Sequence, residues 1–127
     1  MTREVLPAPL PDPAQPFSWI TRGAGLLFTG HGPVRADGTL ETGSSEKQIA
    51  LTLSNLRDTL QAAGSNCDRV LQMTVWLCRV EDVPLLDRLY RQFFSAPWPN
   101  RATVIVERLV ADGMNIEIAA TALAGEQ

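Results

Sequence analysis

A chain of 127 residues, of which 45% are hydrophobic and 20% charged, has the size and composition of one globular domain spanning residues 1–127. Its net charge of −3 and pI of about 5.0 provide no basic field for a phosphate backbone, which argues against a nucleic-acid partner. Neither a signal-peptide core nor a run of roughly 20 apolar residues occurs, which predicts a cytoplasmic protein without membrane contact.

The first 16 residues are expected to form an extended segment. They are rich in proline, and each proline biases the residue before it away from helix. Residues 19–29 then predict one or two strands, broken at Gly23-Ala24-Gly25. An Asp-Gly pair at Asp37-Gly38 predicts the turn that follows.

A helix is predicted between Ser45 and Gly64. Ser45 and Gln48 have the spacing of a capping box, and Gly64 has the position of a C-terminal cap. Between them, apolar residues recur at steps of three and four and predict one buried stripe, which comprises Ile49, Leu53, Leu56, Leu60 and Ala63.

A strand at 70–80 and a second helix come next. The odd positions of the strand are uniformly apolar and are expected to face the core: Leu71, Met73, Val75 and Leu77. The helix is expected to start at Asp82, because Pro84 suits an early helical position. Its buried side is predicted to comprise Leu85, Leu86, Leu89, Tyr90, Phe93 and Phe94.

The chain ends with two β-rich runs joined by a short connection that contains Gly113. Such a connection favours a hairpin, which would bring Arg101 and Glu117 onto neighbouring strands near one end of the sheet. A guanidinium can hold a carboxylate through two parallel hydrogen bonds, and Glu117 can orient or deprotonate a water. Proximity to Arg101 would lower the pKa of Glu117. On the residues alone, a solvent-exposed role for either side chain stays open.

The predicted order is therefore β-β-α-β-α-β-β, an α+β fold with two helices packed on one face of a single mixed sheet. Nothing in the chain covers the other face. An exposed apolar face of roughly several hundred Å² favours association with further copies of the chain. We expect that face to include Trp76, Thr103, Ile105 and Ala119.

The run Arg-Ala-Thr-Val-x-x-Glu-Arg-Leu from Arg101, followed by Ile-Glu-Ile around Glu117, resembles the C-terminal signature of the RidA/YjgF family of enamine and imine deaminases. This family is also known as endoribonuclease L-PSP. The resemblance continues upstream and covers nearly the whole chain in order, in Gln15-Pro16-Phe17-Ser18, residues 27–33, residues 56–64 and residues 89–94.

The resemblance implies a chorismate-mutase-like fold and a homotrimer with a barrel-like core and a ligand cleft at each subunit interface. It implies that Arg101 holds the substrate carboxylate and that Glu117 orients the hydrolytic water. The substrate-binding positions that it implies are Phe17, Trp19, Thr29, Gly30, His31, Gly32, Asp87 and Thr103. Four of these depart from the family: Phe17 replaces a frequent tyrosine, Asp87 a usual asparagine, Thr103 a frequent cysteine, and Thr29 a frequent serine, with the hydroxyl kept.

The implied reaction is hydrolysis of a small enamine or imine carboxylate to a 2-keto acid and ammonia, without a cofactor. Loss of the tyrosine at Phe17 leaves open a non-catalytic small-molecule binding module that uses the same cleft. An endoribonuclease, an activity attributed to some relatives, is disfavoured by the acidic charge. Core packing is an alternative role for Phe17 and Trp19, and a structural role is an alternative for His31.

No metal site is expected. The chain has two cysteines, Cys67 and Cys78, in no CxxC pair, and one histidine, which together are a poor ligand set for a metal. Both cysteines are expected to be reduced thiols rather than nucleophiles, since no histidine is placed by the sequence to activate either.

Overall fold

A computed structural model of the chain describes residues 2–125, in which two helices cover one face of a six-stranded sheet. The elements are β1 (Glu4–Val5), β2 (Ile20–Gly23), β3 (Leu26–His31), α1 (Ser45–Ala62), β4 (Val70–Leu77), α2 (Val83–Tyr90), β5 (Asn100–Ile105) and β6 (Ile116–Leu123). The predicted fold class is confirmed. The short strand β1, which lies in the proline-rich segment and pairs with β2, was not expected.

The strands lie in the order β1-β2-β3-β6-β4-β5, and only β4 and β5 are parallel. The predicted hairpin between β5 and β6 is therefore wrong, because β4 lies between them. The cause is the α2 crossover, which carries the chain from β4 to a parallel neighbour at the sheet edge. Strand β6 then returns to pair with both β3 and β4.

The start of α1 differs from the prediction by one residue. Ser44, not Ser45, is the N-cap, and its side chain accepts a hydrogen bond from the backbone N–H of Lys47 at 3.2 Å. Gln48 takes no part in a capping box. It is buried and donates to the carbonyl of Gly113 at 2.8 Å, which ties the helix to the connection before β6.

The remaining helix predictions agree with the structure in part: Ala63, Leu85 and Phe93 are only half-buried, and α2 ends at Tyr90, before Phe93 and the buried Phe94. Gly64 follows α1 with a φ of +81°, as a C-terminal cap requires. The first four predicted positions of the α1 stripe are fully buried, and on α2 the buried side chains are Leu86, Leu89 and Tyr90. On the sheet, Leu71 is 47% exposed because a β-bulge between Val70 and Gln72 shifts the alternation, while Met73, Val75 and Leu77 face the core as predicted.

The second face of the sheet is open in the single chain. Phe28, Val104 and Leu123 lie on it and are 46%, 39% and 38% exposed. The prediction that Thr103 and Ile105 line this face is wrong. Thr103 pairs in parallel register with the buried Val75, so Thr103 and Ile105 point to the helix side of β5. Trp76 and Ala119 do lie on the open face, as expected.

Within residues 2–125 no helix is both long enough and apolar enough to cross a bilayer.

Candidate functional site

Arg101 lies at the start of β5, on the helix side of the sheet. Its register partner on β4 is the buried Met73, so its side chain points toward α2. One Nη2–H donates to Asp87 Oδ1 at 2.7 Å, and the guanidinium carbon lies 4.7 Å from the ring centre of Tyr90. The side chain is only 21% exposed. Arg101 is thus held in place by an ion pair and an aromatic ring, unlike a freely solvated arginine.

A pocket of about 230 Å³ opens beside this guanidinium, lined by Asp87, Tyr90, Arg91, Trp98, Pro99 and Arg101. Arg91 brings a second positive charge, 5.9 Å from the ring centre of Trp98. The pocket therefore combines two guanidinium groups, one carboxylate and two aromatic rings. Such a lining suits a small anion that also has an apolar part.

The structure brings three predicted residues to this side of β5: Arg101, Asp87 and Thr103. Arg91 and Trp98 were not predicted. Arg91 falls four residues after Asp87, a spacing that puts both on one helical face, and this signal was available in the sequence. Trp98 carried no comparable signal, because it lies in the irregular segment between α2 and β5.

Tyr90 has two roles, since it belongs both to the core and to the pocket wall. Its hydroxyl donates to Met73 Sδ at 3.4 Å, and burial raises its pKa to about 12. The phenol is therefore neutral at physiological pH. Its ring face, not its proton, is what it contributes to the site.

Glu117 lies on β6 opposite Trp76, on the open face of the sheet. Its flanking residues Ile116 and Ile118 are buried in the core, so its own side chain points away from the helices. Burial raises the pKa of Glu117, contrary to the expected lowering by Arg101. A carboxylate with a raised pKa is a stronger base when ionised, which suits proton abstraction from water.

Arg101 and Glu117 do not share a site within one copy of the chain. They are two strands and three register positions apart, a Cα separation of roughly 14 Å, and they point to opposite faces of the sheet. The predicted juxtaposition in a hairpin is wrong for this reason. If both contact one ligand, they come from different copies.

A second group of predicted residues forms an aromatic stack. The rings of Phe17 and Trp19 meet edge to face with centroids 5.0 Å apart, and those of Trp19 and His31 are parallel at 5.9 Å. Phe17 is 48% exposed, whereas His31 is 2% exposed. The stack therefore runs from the surface into the interior, and Phe17 is its accessible end.

The hydrogen bonds of Thr29 determine the tautomer of His31. The hydroxyl donates its only proton to the carbonyl of Trp19 at 2.6 Å, so His31 Nε2–H must donate to the Thr29 oxygen at 2.8 Å. Nδ1 is then the unprotonated nitrogen, and it is buried without a partner among residues 2–125. Burial lowers the pKa of His31 to about 4, so it is a poor general base at neutral pH.

This low pKa predicts acid destabilisation. A histidine with a pKa of about 4 when folded and 6.5 when unfolded contributes stability above pH 6.5 that is lost as pH falls toward 4. The free energy of unfolding should drop by about 3 kcal/mol from this residue between pH 7 and pH 4. Urea unfolding at several pH values tests this prediction. The His31→Phe variant should lack the part of the pH dependence of the free energy of unfolding that His31 contributes. An equally steep loss in wild type and variant would contradict the prediction.

The predicted glycines have different surroundings. Gly30 pairs with Ala119, and a side chain there would meet the carbonyl oxygen of Ile118 at an ordinary 3.6 Å. At Gly32 a Cβ would lie 2.6 Å from Met114 Cε and displace that methyl group. Neither position therefore requires glycine, because at Gly32 only the flexible end of the Met114 side chain would have to move.

The two cysteines are free thiols, as predicted. Burial is the main cause that raises the pKa of Cys67, which lowers its thiolate fraction at neutral pH. Neither cysteine lines the pocket beside Arg101.

Comparison with known proteins settles the family. A family model described as endoribonuclease L-PSP matches residues 8–124. The chain belongs to the RidA/YjgF family. Within it, the human 2-iminobutanoate/2-iminopropanoate deaminase is 32% identical over 90 residues, which are 71% of this chain and 65% of that protein.

Solved structures of RidA/YjgF relatives have the same fold. A protein of the conserved Rid family from Yersinia pestis superposes with a TM-score of 0.90 at 26% identity, covering 97% of this chain and 100% of the other. The E. coli protein TdcF, solved with bound serine, gives a TM-score of 0.86 at 26% identity, with 96% and 99% covered. The roles of individual site residues stay predictions.

Proposed function

We propose that this RidA/YjgF protein hydrolyses small enamine or imine carboxylates to 2-keto acids and ammonia. The observation that carries the proposal is the Arg101 guanidinium, fixed in a small open pocket beside two aromatic rings. A guanidinium in such a setting is suited to a ligand carboxylate. The human relative is named for 2-iminobutanoate and 2-iminopropanoate, and TdcF was solved with bound serine. Each of these molecules is a small carboxylate with a nitrogen on the adjacent carbon.

The proposed site is assembled between copies of the chain. Arg101, with Asp87, Thr103 and the pocket, comes from one copy. Glu117 comes from a neighbour, together with Phe17 and Trp19 at the entrance and the backbone around Gly30 and Gly32. The separation of Arg101 and Glu117 within one copy and the open sheet face that carries Glu117 both support this arrangement.

In the proposed reaction, Arg101 binds the substrate carboxylate and positions the carbon of the protonated C=N bond. Glu117 accepts a proton from a water whose oxygen forms a bond to that carbon, which gives a carbinolamine. Glu117 then returns this proton to the nitrogen and the C–N bond breaks with loss of ammonia. The ammonia takes up the hydroxyl proton as the 2-keto acid forms, so the products are the 2-keto acid and an ammonium ion. Water is the only co-substrate, so the reaction needs no cofactor. Imines already hydrolyse slowly in water, and positioning supplies much of the acceleration.

A coupled assay tests this function. An amino-acid oxidase or a PLP-dependent dehydratase generates the imine in place, and the release of 2-keto acid is followed with and without the protein. With wild-type protein we expect 2-keto acid release to be faster than the spontaneous rate. With the Glu117→Gln variant we expect release to be slower than with wild type. Release at the spontaneous rate with wild-type protein would contradict an enzymatic role.

A non-catalytic binding module is the second candidate, and Phe17 favours it. This side chain lacks the hydroxyl of the tyrosine that is frequent at its position and offers no proton for catalysis. Such a module would bind a small carboxylate at the same pocket without turnover. An endoribonuclease is disfavoured by a net charge of −3.

The cytoplasmic location stays a prediction.

The assembled site requires a stable oligomer, for which we propose a homotrimer with a barrel-like core. The open face of the sheet, with Phe28, Val104 and Leu123 exposed, is the surface that association would bury. Sedimentation at micromolar concentration should give one species of three times the 13.9 kDa chain mass. A well-behaved species of 13.9 kDa would contradict the proposal.

A further inference from the structure

The carboxylate of Asp87 lies inside the Arg101 pocket, where it faces the group expected to bind an anion. Its Oδ1 accepts the 2.7 Å hydrogen bond from Arg101, and its side chain is 38% exposed. Within residues 2–125 Oδ2 accepts no hydrogen bond. Asp87 therefore presents an unused anionic oxygen to a ligand that lies against Arg101.

Asp87 does not cancel the attraction of the pocket for a carboxylate. A guanidinium has five N–H donors, and Arg101 uses one of them on Asp87. Arg91 also lines the pocket and donates to the backbone carbonyl of Asp87 at 3.0 Å, so two positive charges face one negative charge. The pocket thus has an excess positive charge with one carboxylate set within it.

We infer that Asp87 makes this pocket selective for ligands that carry a cationic nitrogen on the carbon next to the carboxylate, over 2-keto acids and 2-hydroxy acids. The ligand carboxylate contacts Arg101 while its iminium or ammonium N–H donates to Asp87 Oδ2. The inference rests on the proposed function only in taking Arg101 as the group that binds the carboxylate.

Because substrate and product differ in charge, Asp87 is expected to favour the substrate over the product. A protonated imino acid carries both charges and gains from both side chains, whereas the 2-keto acid carries only the negative charge and is repelled by Asp87. Asp87 also favours the protonated imine, which is the form that water attacks more readily. The same residue therefore selects the reactive substrate and weakens the binding of the product.

The test uses three stable ligands that differ at one position: 2-aminobutanoate, 2-hydroxybutanoate and 2-oxobutanoate. Calorimetry at pH 7 should show that wild-type protein binds 2-aminobutanoate roughly ten- to a hundredfold more tightly than the other two ligands, which is the effect of one charge-assisted hydrogen bond. Asp87→Asn should abolish the preference and bind 2-oxobutanoate more tightly than wild type does. Asp87→Glu keeps the carboxylate and should keep the order of affinities.

The matched control is Asp58→Asn, which removes the same charge from an ion pair with Arg57 on α1, outside the pocket. It should leave the preference unchanged. The inference is overturned if wild type shows no preference for 2-aminobutanoate, if it binds none of the three ligands, or if folded Asp87→Asn keeps the preference. Imine hydrolysis is measured separately, so a protein with the ligand preference but without turnover would remove the proposed enzyme and retain the inference.

Discussion

Glu117→Gln is expected to lower the turnover of an imine substrate by about a hundredfold or more, with ligand affinity nearly unchanged. The amide is isosteric with the carboxylate but cannot accept the proton of the attacking water. The raised pKa of Glu117, which burial causes, makes the ionised carboxylate a better base than an exposed glutamate. Turnover comes from the coupled assay and affinity from calorimetry with 2-aminobutanoate.

The control for this variant is Glu81→Gln, which removes an exposed carboxylate that pairs with Arg79 at 3.8 Å and lies outside the pocket. It should turn over like wild type. A Glu117→Gln protein with wild-type turnover would remove Glu117 from the mechanism. A binding module predicts instead that no variant loses turnover, because wild type has none.

Arg101→Lys is expected to weaken ligand binding by roughly ten- to a hundredfold, the worth of about 1.5–3 kcal/mol for one charge-assisted hydrogen bond. Lysine keeps the positive charge but loses the planar fork that grips a carboxylate at two points. It also loses the guanidinium plane that lies over Tyr90 and is held by Asp87. Calorimetry with 2-aminobutanoate measures the loss.

Arg57→Lys is a closely matched control. Arg57 also has a carboxylate partner, Asp58 at 3.0 Å, and an aromatic neighbour, Phe93 at 5.3 Å, but it lies on α1 outside the pocket. Its replacement should leave ligand affinity unchanged. If the Arg101→Lys protein binds ligand and turns over substrate like wild type, the proposal that the ligand binds at the Arg101 pocket is wrong.

The helices and the longer strands of this fold were predictable because their signals are local. The apolar stripe of α1 and the positive φ of Gly64 depend on residues within one or two helical turns of each other. The pairing of β6 was not predictable in this way, because its neighbours β3 and β4 are far from it in sequence. The short connection before β6 favoured a hairpin that the α2 crossover excludes.

The site was predictable only in part. The family resemblance pointed to Arg101, Asp87 and Glu117, and the structure shows that Arg101 and Asp87 are in contact. That Arg101 and Glu117 point to opposite faces follows from the parallel register of β4 and β5, which no local pattern specifies. The exposure of Leu71 depends in the same way on a bulge that alternation alone does not reveal.

Subunit complementation tests most directly the claim that the site is shared between copies. Arg101→Ala and Glu117→Gln proteins, each nearly inactive, are unfolded together in equal amounts and refolded. In a ring of three copies, every mixed trimer contains one site with both Arg101 and Glu117 intact, so random mixing should restore about one quarter of the wild-type activity. Activity no higher than the mean of the two parents, in a sample shown to contain mixed oligomers, would contradict a site that takes Arg101 and Glu117 from different copies.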